Sequence, residues 1–167
     1  MLKKLLLFAF VLSLCSCGNE KRASPPESVS GNLNGVQIQI DYGAPSVRGR
    51  KIFGDLVPFD KIWRTGANEN TIIQLKSDAI IGGSLLKAGS YGLFTTPGEQ
   101  EWRVHFNEDS EAWGAYAYSP EKDVAVVKVK PTRLDELQEK MRFRIASGSV
   151  FLEWENTRIA IPVSAAQ

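Results

Sequence analysis

VQIQIDY, Val36–Tyr42, alternates apolar and polar residues without a break. A strand with one face on a core and the other in water requires that period of two, because successive side chains point to opposite faces. Working outward, the same period returns in WRVHF, where Trp102, Val104 and Phe106 share one face and Arg103 and His105 the other. By that parity His105 is expected on the solvent side. VAVVKVKP, MRFRI, SVFLEW and TRIAIPV continue the pattern as far as Val163. TIIQL and DAIIGG are shorter and more continuously apolar, as strands deeper in a sheet are. β-Branched and aromatic residues fill these runs, and Gly, Pro, Asn or Asp end them.

The turns follow from the same reading. Gly82-Gly83 joins two short apolar runs and tolerates the positive φ of a two-residue hairpin. Pro97-Gly98 turns YGLFTT into EWRVHF, and Glu155-Asn156 turns FLEW into TRIAIPV. Only TRLDELQEKM, Thr132–Met141, has a helical look: Leu134, Leu137 and Met141 fall at spacings of three and four, with Thr132 placed to cap. Many short strands with no strand–helix–strand alternation predict an all-β fold, an antiparallel β-sandwich or barrel-like single domain with at most one short helix.

The first 16 residues read as a lipoprotein signal peptide. Lys3 and Lys4 precede an apolar run, Leu5–Leu14, that is too short to span a bilayer stably. Leu14 and Ser16 then sit at the minus-three and minus-one positions before Cys17, which is expected to carry the lipid. Residues 17–33, polar and containing Pro25-Pro26, are expected to form a flexible tether, and 34–164 the folded domain. The expected location is the bacterial cell envelope, anchored to a membrane through Cys17. Cleavage removes Cys15 and lipidation uses Cys17, so the mature chain has no thiol for catalysis, a disulfide or zinc. His105 is the only histidine, which excludes two-histidine zinc motifs, and no metal site or cofactor is expected. With 20 Lys+Arg against 19 Asp+Glu and no basic stripe, nucleic acid is not an expected partner.

The series DYGAPSVRGRKIFGDLVPFDKIWRTGANENT, GGSLLKAGSYGLFTTPGEQEWRVHFN and WGAYAYSPEKDVAVVKVKP resembles the bacterial domain of unknown function 2911, from about Gly35 to Val163. The resemblance implies a compact, β-rich secreted or lipid-anchored domain. It brings no assigned activity and no catalytic residues. Phe59 departs from it, standing where similar sequences often carry Tyr.

Two stretches are candidates for a site. In WRTGANEN, Trp63 can floor a pocket with Arg64, Asn68 and Glu69 as its polar contacts. The plainer alternative is a corner in which Trp63 belongs to the core and Arg64 stacks on Trp63 or pairs with Glu69. In FNEDSEAWGAYAY, Trp113, Tyr116 and Tyr118 can stack a sugar ring, the alternative being an aromatic inner face of the sandwich. Its acidic residues lack the spacing of a calcium loop. Arg48, Arg50 and Lys51 can attract an anion but lack the glycine-rich setting of a nucleotide loop. Without a G-x-S-x-G elbow, His105 has no evident nucleophile to serve. Three functions are compatible with these residues. The first is a non-catalytic binding module for a glycan or envelope protein, using Arg64, Asn68, Glu69, Trp113 and Tyr116. The second is a carboxylate-based hydrolase with one raised pKa. The third is a purely structural envelope protein.

Overall fold

The computed structural model describes residues 22–111 and 113–166; the expected signal peptide and Cys17 lie outside them. Among the described residues ten strands form two antiparallel sheets. The larger runs in the order β1 (Pro26–Leu33), β2 (Val36–Gly43), β3 (Ile72–Leu75), β6 (Gly89–Thr96), β7 (Trp102–Asn107) and β8 (Asp123–Val129). The smaller runs β5 (Ser84–Leu86), β4 (Ala79–Ile81), β10 (Ser149–Ala165) and β9 (Thr132–Ala146). The sheets do not close into a barrel, so the fold is an all-β sandwich.

The alternation in β2 does what its period requires. Val36, Ile38 and Ile40 are buried, and β7 contributes Trp102, Val104 and Phe106 to the same core. From the facing sheet come Leu152, Trp154, Ile159, Ile161 and Phe143. Each fully buried side chain of this size contributes about 1.5–3 kcal/mol relative to exposure. The Gly82-Gly83 hairpin forms with Ile81 opposite Ser84, and both glycines have positive φ. The long β10 run folds back on itself: Glu155 has φ 56°, and the Val163 amide donates to the Gly148 carbonyl at 2.9 Å.

Three expectations are corrected here. The strand region begins at Pro26, inside the expected tether, because β1 pairs with β2 from Pro26–Gly43 to Leu33–Val36. Thr132–Met141 is strand, not helix. Its backbone pairs with β10 on one side, while the Glu139 carbonyl accepts from Val47 and the Met141 amide donates to Pro45. Leu137 stays exposed, so no helical face is buried. The one helical element among the described residues is a single 3-10 turn, Pro120–Lys122. Finally, His105 does point away from the sandwich core but is only 8 % exposed. The segment between β7 and β8 folds over the outer face of the sheet and brings Tyr118 onto it.

Candidate functional site

WRTGANEN is a loop pinned at both ends to β6. Trp63 and Thr95 exchange backbone hydrogen bonds at 2.8 and 2.9 Å, and the Thr71 carbonyl accepts from Leu93 at 2.8 Å. Between these pins the chain bulges outward. The tight path needs φ of 55° at Thr65 and 64° at Asn68, and the first is unusual for a β-branched residue. Several polar groups inside the bend are satisfied locally, whereas both side-chain amide atoms of the buried Asn70 have no partner among the described residues. Thr71 Oγ1 donates to the Thr65 carbonyl at 2.9 Å, the Thr65 and Thr95 hydroxyls lie 3.2 Å apart, and Trp63 Nε1 donates to the Gly66 carbonyl at 3.1 Å. The Ala67 amide donates to the Gly43 carbonyl, an approach so close that a methyl group on Gly43 would overlap the Ala67 carbonyl.

The corner presents one face of Trp63 to a cleft of about 290 Å³. Beneath it, Trp63 stacks on Trp154 with ring centres 5.8 Å apart and planes 20° from parallel. Phe53 meets both indoles edge-on and wedges against Trp102 at 4.8 Å. Leu56, Val57, Pro58 and Ile62 complete an apolar wall, while Arg50, Lys61 and Arg64 supply positive charge and no carboxylate lines the cleft. Arg50 is steered by its hydrogen bonds to the Val47 and Ser46 carbonyls, at 3.0 and 2.6 Å. Two buried donors of the lining, Trp154 Nε1 and Arg64 Nε, have no acceptor among the described residues. Leaving a buried donor unpaired costs about 1–3 kcal/mol.

The residues singled out in the sequence divide between two places. Arg64 borders the cleft, and its Cδ and Nη1 atoms lie against Gly114, so the structure does join the Trp63 corner to the Trp113–Tyr118 segment. Arg64 neither stacks on Trp63 nor pairs with Glu69, against the corner alternative. Trp113 and Tyr116 flank that contact at 64 % and 96 % exposure. They belong to a turn outside the strands, which corrects the expectation of an aromatic inner face. Asn68 and Glu69 face the N-terminal segment instead: Asn68 Nδ2 donates to the Ser24 carbonyl at 3.0 Å, and Glu69 pairs with Arg22 at 2.6 Å. Trp154, Lys61 and Ser24 are cleft residues that the sequence reading did not single out, while Arg50, read there with Arg48 and Lys51 as able to attract an anion, does line the cleft. SVFLEW showed Trp154 only as core, and nothing local joins it to Trp63 across about ninety residues of chain.

A second constellation lies beneath the β7–β8 segment. Thr96 Oγ1 is 3.0 Å from His105 Nε2, and His105 Nδ1 is 2.8 Å from Asp123 Oδ2. Tyr118 donates to the same carboxylate oxygen at 2.6 Å, and Asn107 Nδ2 donates to the other at 2.8 Å. The hydroxyl–imidazole–carboxylate order is that of a hydrolase triad. Thr96, His105 and Asn107 are nonetheless all buried, and every polar atom named is bonded within the group, so the hydroxyl is closed in. Burial, then the hydrogen bond to Asp123 and its charge, push the Tyr118 phenol well above its usual range, keeping it a neutral donor. Among the described residues no three His, Cys, Asp or Glu side chains are placed to hold a metal ion.

Comparison with known proteins places this geometry in a family without a described chemistry. No curated protein and no solved structure matched the chain. A family model did match, over residues 24–163, which span both sheets, the Trp63 corner and the buried histidine network. The chain belongs to that family, the proteins of unknown function DUF2911.

Proposed function

We propose that the protein is a lipid-anchored envelope module that binds, without catalysis, an anionic ligand carrying a ring or apolar portion. The cleft over Trp63 and Trp154 is its site. One observation carries this reading: a carboxylate-free, cation-rimmed cleft with an aromatic floor is lined by Arg64 and Trp154, each with a buried donor that has no acceptor among the described residues. An anion is drawn to Arg50, Lys61 and Arg64, and its apolar portion covers the indole floor; binding sites combine the two in this way. An acidic sugar or a phosphorylated headgroup meets both requirements. Trp113 and Tyr116, beyond the Arg64–Gly114 contact, extend the surface on which such a ligand can lie. Anchoring through Cys17 rests on the Lys3–Cys17 sequence pattern.

A carboxylate-based hydrolase fits less well. It needs one acid held protonated near neutrality, whereas the carboxylates whose pKa is clearly displaced, Glu69, Asp78, Glu121 and Glu153, are all displaced downward. The binding reading is tested by a thermal-shift screen of the chain from Arg22 onward against acidic sugars, inorganic phosphate and glycerol phosphate. At about 100 times its Kd a ligand adds roughly 2.7 kcal/mol of stability. The expected result is a rise in Tm with at least one anion that Arg64→Ala abolishes while its own unliganded Tm stays within a few degrees. A panel of anions that leaves Tm unchanged rejects the proposal.

A further inference from the structure

The N-terminal segment joins the domain at the cleft. Ser24 lines it, and four contacts hold the approach: Arg22 to Glu69, the Ala23 carbonyl to Arg48 Nη2 at 3.1 Å, the Ser24 carbonyl to Asn68, and the Pro25 carbonyl to the Ala44 amide at 2.9 Å. Five residue steps separate Arg22 from Cys17, a reach of roughly 18 Å when fully extended. A domain of this length is about 40 Å across. An anchor at Cys17 is therefore too short to let the cleft turn to the far side of the molecule.

The surface held at that distance has the composition of a membrane-facing one. Between Ala44 and Ala67 the chain carries five cations, Arg48, Arg50, Lys51, Lys61 and Arg64, against two carboxylates, Asp55 and Asp60, with Glu139 and Glu155 of the smaller sheet bonded to amides of the same segment; the three cations that line the cleft, Arg50, Lys61 and Arg64, have no carboxylate beside them in its lining. Leu56, at 47 % exposure, belongs to the cleft wall, and the exposed Trp113 and Tyr116 lie past Arg64. Basic residues are drawn to anionic headgroups, and aromatic rings with one polar edge favour the interfacial layer. We infer that this end of the sandwich docks on the anionic bilayer that holds its anchor, with a lipid headgroup phosphate in the Trp63 cleft. The inference deepens the binding reading and rests on it and on acylation of Cys17.

The test uses the full chain, with acylation of Cys17 first established by intact mass. It is reconstituted in nanodiscs of zwitterionic lipid, with or without phosphatidylglycerol, that carry a headgroup-linked nitroxide. Tryptophan fluorescence is expected to be quenched on the anionic discs, less so at high salt, and not in the Arg50→Gln, Lys61→Gln, Arg64→Gln triple variant. Near-UV circular dichroism and Tm establish that the variant is folded. Removing these cations is expected to weaken docking roughly fivefold each. Quenching independent of lipid charge, or absent from the acylated chain, overturns the inference. Where inorganic phosphate protects the cleft but lipid charge has no effect, the lipid source fails and the binding reading stands. Where neither binds, both fail, and a chain without acyl groups removes the anchor on which docking depends.

Discussion

Glu153 is fully buried on the outer side of the smaller sheet, and three guanidinium groups close around it: Arg142 at 2.7 Å, Arg144 at 2.9 Å and Arg158 at 2.6 Å. Arg144 also lies over the Phe151 ring at 4.8 Å. Burial alone would raise the Glu153 pKa, but hydrogen bonds from the three arginines outweigh it and bring it down to about 2. A carboxyl depressed in the folded state stabilises above its unfolded pKa, about 4.3, and that contribution disappears as pH falls from there through about 2. Glu153→Gln is expected to lose about 3 kcal/mol at pH 7, and its deficit to shrink steadily between pH 5 and pH 2. Urea unfolding of both proteins at several pH values measures this; a deficit constant with pH contradicts it. At this scale the sequence was legible where a side chain's own type decides its fate. Trp63 and Arg64 could be found because a large aromatic beside a cation in a turn-rich loop has few places to go. The partners of Asn68 and Glu69, Ser24 and Arg22, lie more than forty residues away, so their contacts were not legible locally.

Among elements, strands whose two faces differ were easy to read. β2 alternates and buries Val36, Ile38 and Ile40 as its pattern requires, and β7 places Trp102, Val104 and Phe106 in the core although its other face is covered at His105 and Asn107. β1 was hidden because it is an edge strand with little to bury: its polar residues face outward, and Gly31 lets Ile145 pack against the backbone. Glu27 of β1 also pairs with Lys140 of β9. A chain beginning at Asn34 is therefore expected to be less stable than one beginning at Arg22, by several kcal/mol, with the β2 edge bared to self-association. Chemical denaturation and sedimentation compare the two, and equal stability with no association would show that β1 contributes little. β9 was misread for another reason. Its register against β10 slips between Glu153 and Glu155, and again between Glu155 and Thr157. Bulges of that kind reset the alternation, leaving Leu134, Leu137 and Met141 at spacings that imitate a helix.

For the whole molecule, the sandwich follows from local pattern, but its sites follow from which loops the topology brings together. The Trp63–Trp154 stack joins the two sheets, and the Arg64–Gly114 contact joins two loops far apart in the chain. Neither pairing has a signature in one sequence. The same holds for the His105 network: strand parity correctly directed His105 away from the core, while the segment carrying Tyr118 decided that it would be buried. The cleft lining is chemically incomplete, with the Trp154 indole donor buried and unpaired among the described residues. That donor offers the most direct test. The four tryptophans give four indole signals in a ¹H–¹⁵N correlation spectrum, assignable by single Trp→Phe variants. On titration with the anion that raises Tm, the signals of Trp154 and Trp63, which line the cleft, are expected to move together with one Kd while that of Trp102, which does not line it, stays still. A stationary Trp154 signal at saturating ligand, or equal movement of all four, would contradict the binding reading.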